Sequence, residues 1–340
     1  MLSTREIAGT KVATSVFGLG CAGLFRIPQR NARRLVLDAA FDAGIRHFDV
    51  APMYGLGLAE AELAPLLRHH RAEVTVTTKF GIKTTIIGNG IGRVQRPVRA
   101  YLARRPDVNE ELKTAGQGPG SGSVGRLIYA SPGYHRQSAQ AGLERSLREL
   151  GTDYIDVFLL HDPTGDLIAE ASSLTEYLNE QCRKGRIRCW GVSGESFQLA
   201  SIIRSLGHVP VIQFRDDVFD GQLTGDHLSE GAWITYGALA RTLPLLRRFM
   251  AQSPSISPAW SERLGIDLAE ESSLPKMLLN FALLRNIRGP VLFSTTRPER
   301  VQVAADAATQ GVEISETKFT AFSEFAAAAS RASAEMAEAL

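Results

Sequence analysis

The chain has 340 residues, enough for two ordinary domains or for one α/β barrel. With 44% hydrophobic and 22% charged residues it can bury a sizeable core, and a formal charge of only +2 gives no electrostatic reason to expect nucleic acid or a membrane surface as partner. Cys21, Cys182 and Cys189 fit neither a metal-ligand spacing nor a disulfide framework, so no metal is expected and a reducing compartment is. The first twenty residues lack the apolar core of a signal peptide, and no run is long enough to span a bilayer. A cytoplasmic protein acting on a small molecule is the expectation these features leave.

In chain order, "REIAGTKVATS" reads as a hairpin turning at Gly9. Short β-branched and aromatic runs then recur as strands at Ser15–Gly20, Arg46–Val50, Glu73–Lys79, Tyr154–His161, Ile187–Ser193, Val209–Phe214, Ala232–Tyr236 and Gly289–Ser294. Between them lie amphipathic helices. In "NARRLVLDAAFDAG" Leu35, Ala39 and Ala40 share a face and Gly44 supplies the stop; "LAEAELAPLLRHH", "SAQAGLERSLRELG", "SLTEYLNEQCRKG", "FQLASIIRSLG" and "LPKMLLNFALLRN" follow the same pattern. Eight strands alternating with helices predict a parallel sheet closed into a (β/α)8 TIM barrel, an α/β fold occupying residues 1–340 as one domain. Two connections are long: Gly81 to Gln137, with a loop over 83–137 containing the flexible "GQGPGSGSVG", and Leu243 to Ser273. Both follow strands, which puts them on the C-terminal face where barrel active sites are built. Residues 315–340 read as an alanine-rich helical extension.

The polar residues at the strand ends carry the chemistry. Asp49 closes the second barrel strand in "IRHFDVAPMYG", Tyr54 lies in the loop after it, Lys79 ends the third and His161 the fourth. Each alone has an ordinary structural reading; four strand–loop junctions delivering an acid, a phenol, an ammonium and an imidazole to one rim favour a site. A phenol titrates near pH 10, and a neighbouring ammonium is expected to lower that value and make Tyr54 a usable acid. Asp49 would hold Lys79 charged and oriented, and His161 would hydrogen-bond a carbonyl oxygen beside Tyr54. Such a set polarises a carbonyl and supplies a proton, so the hydride has to come from a cofactor.

With those residues in place, the chain resembles an aldo-keto reductase along nearly its whole length. "FDVAPMYGLGLAEAEL", "TTKFG", "SLRELGTDYIDVFLLHDP", "IRCWGVSGES", "VIQFRDD" and "WITYGALAR" are similar to that family's successive motifs, in the right order. The long loop after Lys79 places the form nearer the sugar and aldose dehydrogenase-like members than the compact aldose reductases. The resemblance implies that Asp49, Tyr54, Lys79 and His161 are the catalytic tetrad. It also implies a nicotinamide cofactor, NADP(H) favoured over NAD(H). Ser193 and Gln213 match donors to the carboxamide, Tyr236 the stacking aromatic, and Ser294, Thr295 and Arg300 the segment around the adenosine phosphate. Gly20, Cys21, Gly194, Gly237 and Leu239 fall beside those motifs and complete the expected cofactor set. Four positions depart from the pattern: Gly194 replaces an asparagine, Ala59 a serine, Ser294 a lysine common in NADPH-preferring members, and Ala304 an adenine-binding asparagine.

Further signals are weaker. "GLGCAG" at Gly18–Gly23 has the spacing of a dinucleotide-binding loop, but residues 24–29, with Pro28, separate it from the next helix; it reads as room for cofactor or substrate. "GQGPGSGSVG" has no following Lys-Ser/Thr and is not a P-loop. Arg93, Arg96, Arg99, Arg104 and Arg105 form a basic run in the long loop, read first as a solvated face. Phe25, Met53, Phe80 and Trp190 are candidates for substrate contact, with core packing as the competing reading. An NAD(P)-dependent interconversion of a carbonyl and an alcohol is the leading expectation. The alternatives are a nucleotide-binding but weakly active or inactive sensor on the same fold, and a Schiff-base lyase using Lys79, against which the nearby Asp49 argues.

Overall fold

The computed structural model describes residues 2–85, 128–163, 170–219, 231–252, 255–309 and 316–338. Strands β1 (Thr4–Ile7) and β2 (Val12–Ser15) form an antiparallel hairpin. Strands β3 (Phe17–Gly20), β4 (His47–Asp49) and β5 (Thr75–Phe80) follow, then a short antiparallel pair, β6 (Lys83–Thr84) and β7 (Tyr129–Ala130). The rest are β8 (Ile155–His161), β9 (Ile187–Ser193), β10 (Val211–Arg215), β11 (Ala232–Tyr236) and β12 (Val291–Phe293). Eight of them close a barrel in the order β3-β4-β5-β8-β9-β10-β11-β12, each pair parallel and β12 returning to β3. Among the described residues, helices lie between most successive barrel strands, and the fold is the α/β TIM barrel expected.

The differences from expectation have simple causes. The first predicted strand breaks at Val16, because β2 belongs to the hairpin and β3 to the barrel. The runs at Val209 and Gly289 begin later, after Pro210 and Pro290, which bring no N–H to a ladder. Glu73 ends a 3-10 turn, and β5 starts at Thr75. The long connection Leu243–Ser273 is largely helical, with helix Thr242–Gln252 running into it and helix Ile256–Leu264 inside it. Together with helix Ser273–Arg285 they bury Leu246, Leu264, Met277 and Phe281 against Phe322 and Phe325 of helix Glu316–Glu338. On helix Arg30–Asp42 the buried side is Arg33, Val36, Leu37 and Ala40, while Leu35 is 60% exposed, contrary to the face assigned to it. Arg33 holds its place there by pairing with Glu62 at 2.9 Å. The arginine run at 93–105 and the "GQGPGSGSVG" stretch lie outside the described residues.

Strand alternation sorts side chains into two cores. Phe17, Leu19, Phe48, Val76, Phe158, Ile212 and Phe293 point outward and pack under the helices. Val157, Leu159, Cys189, Val211, Ala232, Ile234 and Leu292 fill the barrel, and Ile7 and Val12 of the hairpin join them from below. Arg5 donates to the carbonyls of Asn286 and Gly289, and Ala8 N–H donates to Arg288 at 3.0 Å, so the hairpin is tied over the N-terminal end of the barrel. Apolar packing therefore occupies the bottom and middle of the interior, and the polar residues stand at the C-terminal mouth.

One glycine sets how closely two strands approach. A Cβ on Gly191 would lie 1.9 Å from the Val211 carbonyl oxygen of the neighbouring strand, with which it is in register. Gly191→Ala must push β9 from β10, and the expected loss is about 3 kcal/mol of unfolding free energy. Urea denaturation measures it; an unchanged midpoint would mean that the two strands do not meet in this register.

Candidate active site

The site grows out of β4. His47 and Asp49, two residues apart, both face the barrel axis. The His47 ring is held by the Thr75 and Thr77 hydroxyls at 2.9 and 3.1 Å, and burial, helped by the Lys79 charge, lowers its pKa to about 3. It is a neutral floor for the site rather than a metal ligand; among the described residues no cluster of His, Cys, Asp and Glu could hold a metal ion. Above it, Lys79 on the adjacent strand is completely buried, and its Nζ donates to Asp49 Oδ1 at 2.7 Å and to the Val50 carbonyl at 3.1 Å. The other oxygen of Asp49 accepts from Gln213 Nε2 at 2.7 Å, and Gln213 Oε1 accepts from the Ser193 hydroxyl at 2.9 Å. A polar chain, Lys79–Asp49–Gln213–Ser193, thus crosses the mouth of the barrel.

Tyr54 opens a 3-10 turn, Tyr54–Leu56, whose N–H bonds back to Ala51 at 3.0 Å. Gly55 sits at φ 61, and a Cβ there would lie 2.3 Å from the Phe25 ring, so only glycine lets the turn press on that ring. Phe25 is buried there under Arg33, whose guanidinium lies 4.9 Å from the ring centre. Met53 packs with Ala51, Ile82, Ile128 and Tyr129 at the base of the long connection. Both residues brace the tyrosine turn. The Tyr54 ring lies 5.0 Å from Lys79 Nζ and edge-on to His161, with centroids 5.8 Å apart at 86°. The four residues singled out at the strand ends therefore meet in one place.

The electrostatics of Tyr54 differ from the sequence-based expectation. Burial first, then the charges of Asp49, Asp162 and Cys21, push its hydroxyl well above the ordinary phenol value. The Lys79 ammonium, paired with Asp49 at 2.7 Å, does not outweigh these influences. His161 is pushed well below the usual imidazole range by burial and by Lys79, so its ring is neutral. Its Nδ1 is buried without a partner, its Nε2 lies 3.9 Å from Asp162 Oδ2, and its carbonyl accepts from the Tyr134 hydroxyl.

Two substrate candidates face the wrong way. Phe80 follows inward-facing Lys79 and so points outward, stacked on Phe158 at 4.9 Å. Trp190, three residues from inward-facing Ser193, also points outward and donates from Nε1 to Asn179 at 2.9 Å. Both belong to the layer between sheet and helices. Of the residues expected around a cofactor, Gly194 N–H donates to the Gln213 carbonyl at 3.0 Å, and Tyr236 ends β11 half-buried beside Gly237, which has φ 99. Leu239 packs between the barrel core and the outer helical cluster. Ser294, just after β12, donates to the Gly20 carbonyl at 2.7 Å and ties the barrel's closing strands together. Cys21 is buried, its Sγ 3.7 Å from the Leu19 carbonyl, and burial raises its pKa. Thr295 hydrogen-bonds within its own turn to Arg297, and Arg300 is exposed with no ion pair among the described residues. Gly18 makes no room for a ligand: a Cβ there would strike Leu292 and His47 inside the barrel. Sequence reasoning missed Asp162, Tyr134 and the bond from Gln213 to Asp49. The first had a signal, an acid directly after His161 at a strand end; the last joins residues 164 apart and had none.

Residues 16–214 match the Aldo/keto reductase family, more than half of the chain, and the chain belongs to that family. It is similar to D-threo-aldose 1-dehydrogenase of Pseudomonas sp, 31% identical over 201 residues that make up 56% of this chain and 54% of that protein. It is also similar to the NADH-specific methylglyoxal reductase of Escherichia coli (strain K12), 24% identical over 356 aligned positions covering 95% of this chain and 98% of that one. The match to the first curated relatives spans about half of their length. Among solved structures, the holo form of an aldo-keto reductase from Bacillus halodurans superposes with a TM-score of 0.68 at 18% identity, covering 96% of each chain. An aldo-keto reductase from Klebsiella pneumoniae in complex with NADPH gives 0.60 at 21% identity, covering 91% of this chain and 90% of that one. At such identities the likeness is one of fold. No helix among the described residues is long and apolar enough to cross a membrane.

The buried pair makes a stability prediction. Lys79→Met leaves Asp49 charged and half-satisfied in the interior and is expected to cost about 3–5 kcal/mol, most of it restored by adding Asp49→Asn. Chemical denaturation of the two variants and the wild type measures this. A single variant no less stable than the double would show that the ammonium does not compensate a buried carboxylate.

Proposed function

We propose that the protein is an NAD(P)(H)-dependent oxidoreductase that interconverts a carbonyl (aldehyde, ketone or sugar) and an alcohol, with Tyr54 as general acid and base. The observation that carries this reading is the meeting of Tyr54, His161 and the Lys79–Asp49 pair at one barrel mouth, with Tyr54 and His161 edge-on at 5.8 Å. A nicotinamide dinucleotide, when bound, supplies the hydride. Everything else is done by side chains of this chain. Tyr54, its hydroxyl protonated across the neutral range, gives a proton to the carbonyl oxygen in reduction and receives one in oxidation. Neutral His161 offers an N–H to the same oxygen and fixes the face presented to hydride. Lys79, held by Asp49 and the Val50 carbonyl, is a fixed positive charge that stabilises the developing phenolate. The same contacts make it a poor nucleophile and disfavour the Schiff-base alternative.

Several residues fit the cofactor. Ser193 and Gln213 bring polar side chains to the barrel mouth, and Tyr236 offers a half-buried ring on the neighbouring strand end. Thr295 and the exposed Arg300 stand after β12 as phosphate partners. Arg300 supports NADP(H) as the favoured form, with NAD(H) the second candidate, since an exposed guanidinium with no carboxylate partner among the described residues suits an extra phosphate. The family pattern, the aldose dehydrogenase among the relatives and the reductases beside it support the carbonyl–alcohol chemistry.

The test is Tyr54→Phe. It keeps the ring against His161 and removes the proton, so turnover is expected to fall by roughly 100- to 10,000-fold. Binding of NADPH or NADH, followed by quenching of tryptophan fluorescence, should stay nearly unchanged. Wild-type turnover in the variant would remove Tyr54 from the role of proton donor. Tight nucleotide binding by the wild type, without turnover over a broad carbonyl and sugar panel, would favour the sensor reading instead.

A further inference from the structure

Asp162 has no role in the chemistry above, yet it faces the same site. It directly follows His161 and adopts φ 48, a left-handed conformation that costs a residue with a Cβ about 1–2 kcal/mol. Its N–H donates to the Ser193 carbonyl at 2.7 Å, and Tyr134 holds the carbonyl just before it, so the corner is fixed from both sides. The carboxylate is half-buried. It makes no hydrogen bond and no Lys or Arg ion pair among the described residues; the neutral His161 ring lies beside it, its Nε2 3.9 Å away and too far for a hydrogen bond. Its charge nevertheless reaches the hydroxyls of Tyr54, Tyr134 and Tyr236, raising the pKa of each. Burial and Glu195 raise Asp162 itself to about 6 against the pull of Lys79. A half-buried acceptor with no donor among the described residues, beside the Tyr54–His161 pair proposed above to act on a carbonyl, is placed to take a donor from the substrate.

Building on the function proposed above, we infer that Asp162 is a specificity residue that accepts a hydrogen bond from a hydroxyl on the carbon next to the reacting carbonyl. The substrates it selects are 2-hydroxy carbonyl compounds and, in the oxidative direction, the matching vicinal diols. In a 2-hydroxy carbonyl the two oxygens lie about a hydrogen bond's length apart. With the carbonyl oxygen on His161 Nε2 and Tyr54, the neighbouring hydroxyl falls within reach of a carboxylate oxygen 3.9 Å from that nitrogen. A compound with a methyl group in place of that hydroxyl would bury the carboxylate unpaired, which is why sites built for a hydroxyl discriminate strongly. A cationic amine is the less suitable occupant, because Lys79 already bears on Asp162.

The experiment compares isosteric substrate pairs, hydroxyacetone with butanone and 2-hydroxypropanal with 2-methylpropanal, plus aminoacetone, on wild type, Asp162→Asn and Asp162→Gly. Asparagine and glycine both accept the left-handed backbone, so the corner is kept while the charge, or the whole side chain, is removed. Wild type should favour the hydroxylated member of each pair in kcat/KM. Asp162→Gly should lose roughly 10- to 100-fold on the hydroxylated member alone, with Asp162→Asn in between. Equal losses on both members of a pair would mean that Asp162 acts through His161 rather than on a hydroxyl. Unchanged preference would remove it from substrate recognition, and preference for aminoacetone would assign it to a cation. Each of these outcomes overturns the inference while leaving the carbonyl reading standing. A wild type that turned over none of the five compounds would count against both.

Discussion

The architecture of the mouth depends on the buried Lys79–Asp49 contact. Two opposite charges taken out of water are stable together only if their remaining hydrogen-bonding capacity is met. Here the second carboxylate oxygen takes the Gln213 amide from the far side of the barrel, and the Val50 carbonyl takes a second ammonium proton. The pair is thus bound into three strands at once, and it can exist only because the barrel closes. The phenol beside it stays high in pKa and protonated because it is buried and faces the charges of Asp49 and Asp162. A protonated Tyr54 beside a neutral imidazole is the arrangement that carbonyl reduction needs, and it comes from burial more than from the ammonium.

What places this cluster at the mouth is the packing below. Ile7 and Val12 of the hairpin close the lower end of an interior already filled by aliphatic side chains. His47 lies between that apolar floor and Asp49, satisfied on both ring nitrogens by threonines. The long connection after Lys79 contributes from above. Its base packs on the turn before Tyr54 through Met53, and Tyr134 reaches the end of β8. Stability and function divide along the barrel axis, with apolar packing at the bottom and unpaired polar capacity at the top.

Much of this was legible in the sequence, because period-2 runs ending in Asp49, Lys79 and His161 are local signals. The same periodicity also fixes the orientation of their neighbours. An inward Lys79 requires an outward Phe80, and an inward Ser193 requires an outward Trp190. Leu35 was misplaced because Arg33, a charged residue, occupies the buried side of its helix by pairing with Glu62. The segment 243–273 hid its helices because their apolar faces are matched by residues beyond position 315, far away in the chain. The bridge from Gln213 to Asp49 and the raised pKa of Tyr54 belong to the assembled barrel and have no counterpart in any short stretch.

The central claim is that this mouth carries a hydride to a carbonyl carbon while Tyr54 supplies the proton. The most direct test is reduction of hydroxyacetone with NADPH, and separately NADH, carrying deuterium at the transferable position of the nicotinamide ring, with the product examined by mass spectrometry and NMR. The account predicts one deuterium on the former carbonyl carbon and an exchangeable solvent proton on its oxygen. Product without deuterium at that carbon, or oxidation of the cofactor without any alcohol formed, would contradict it.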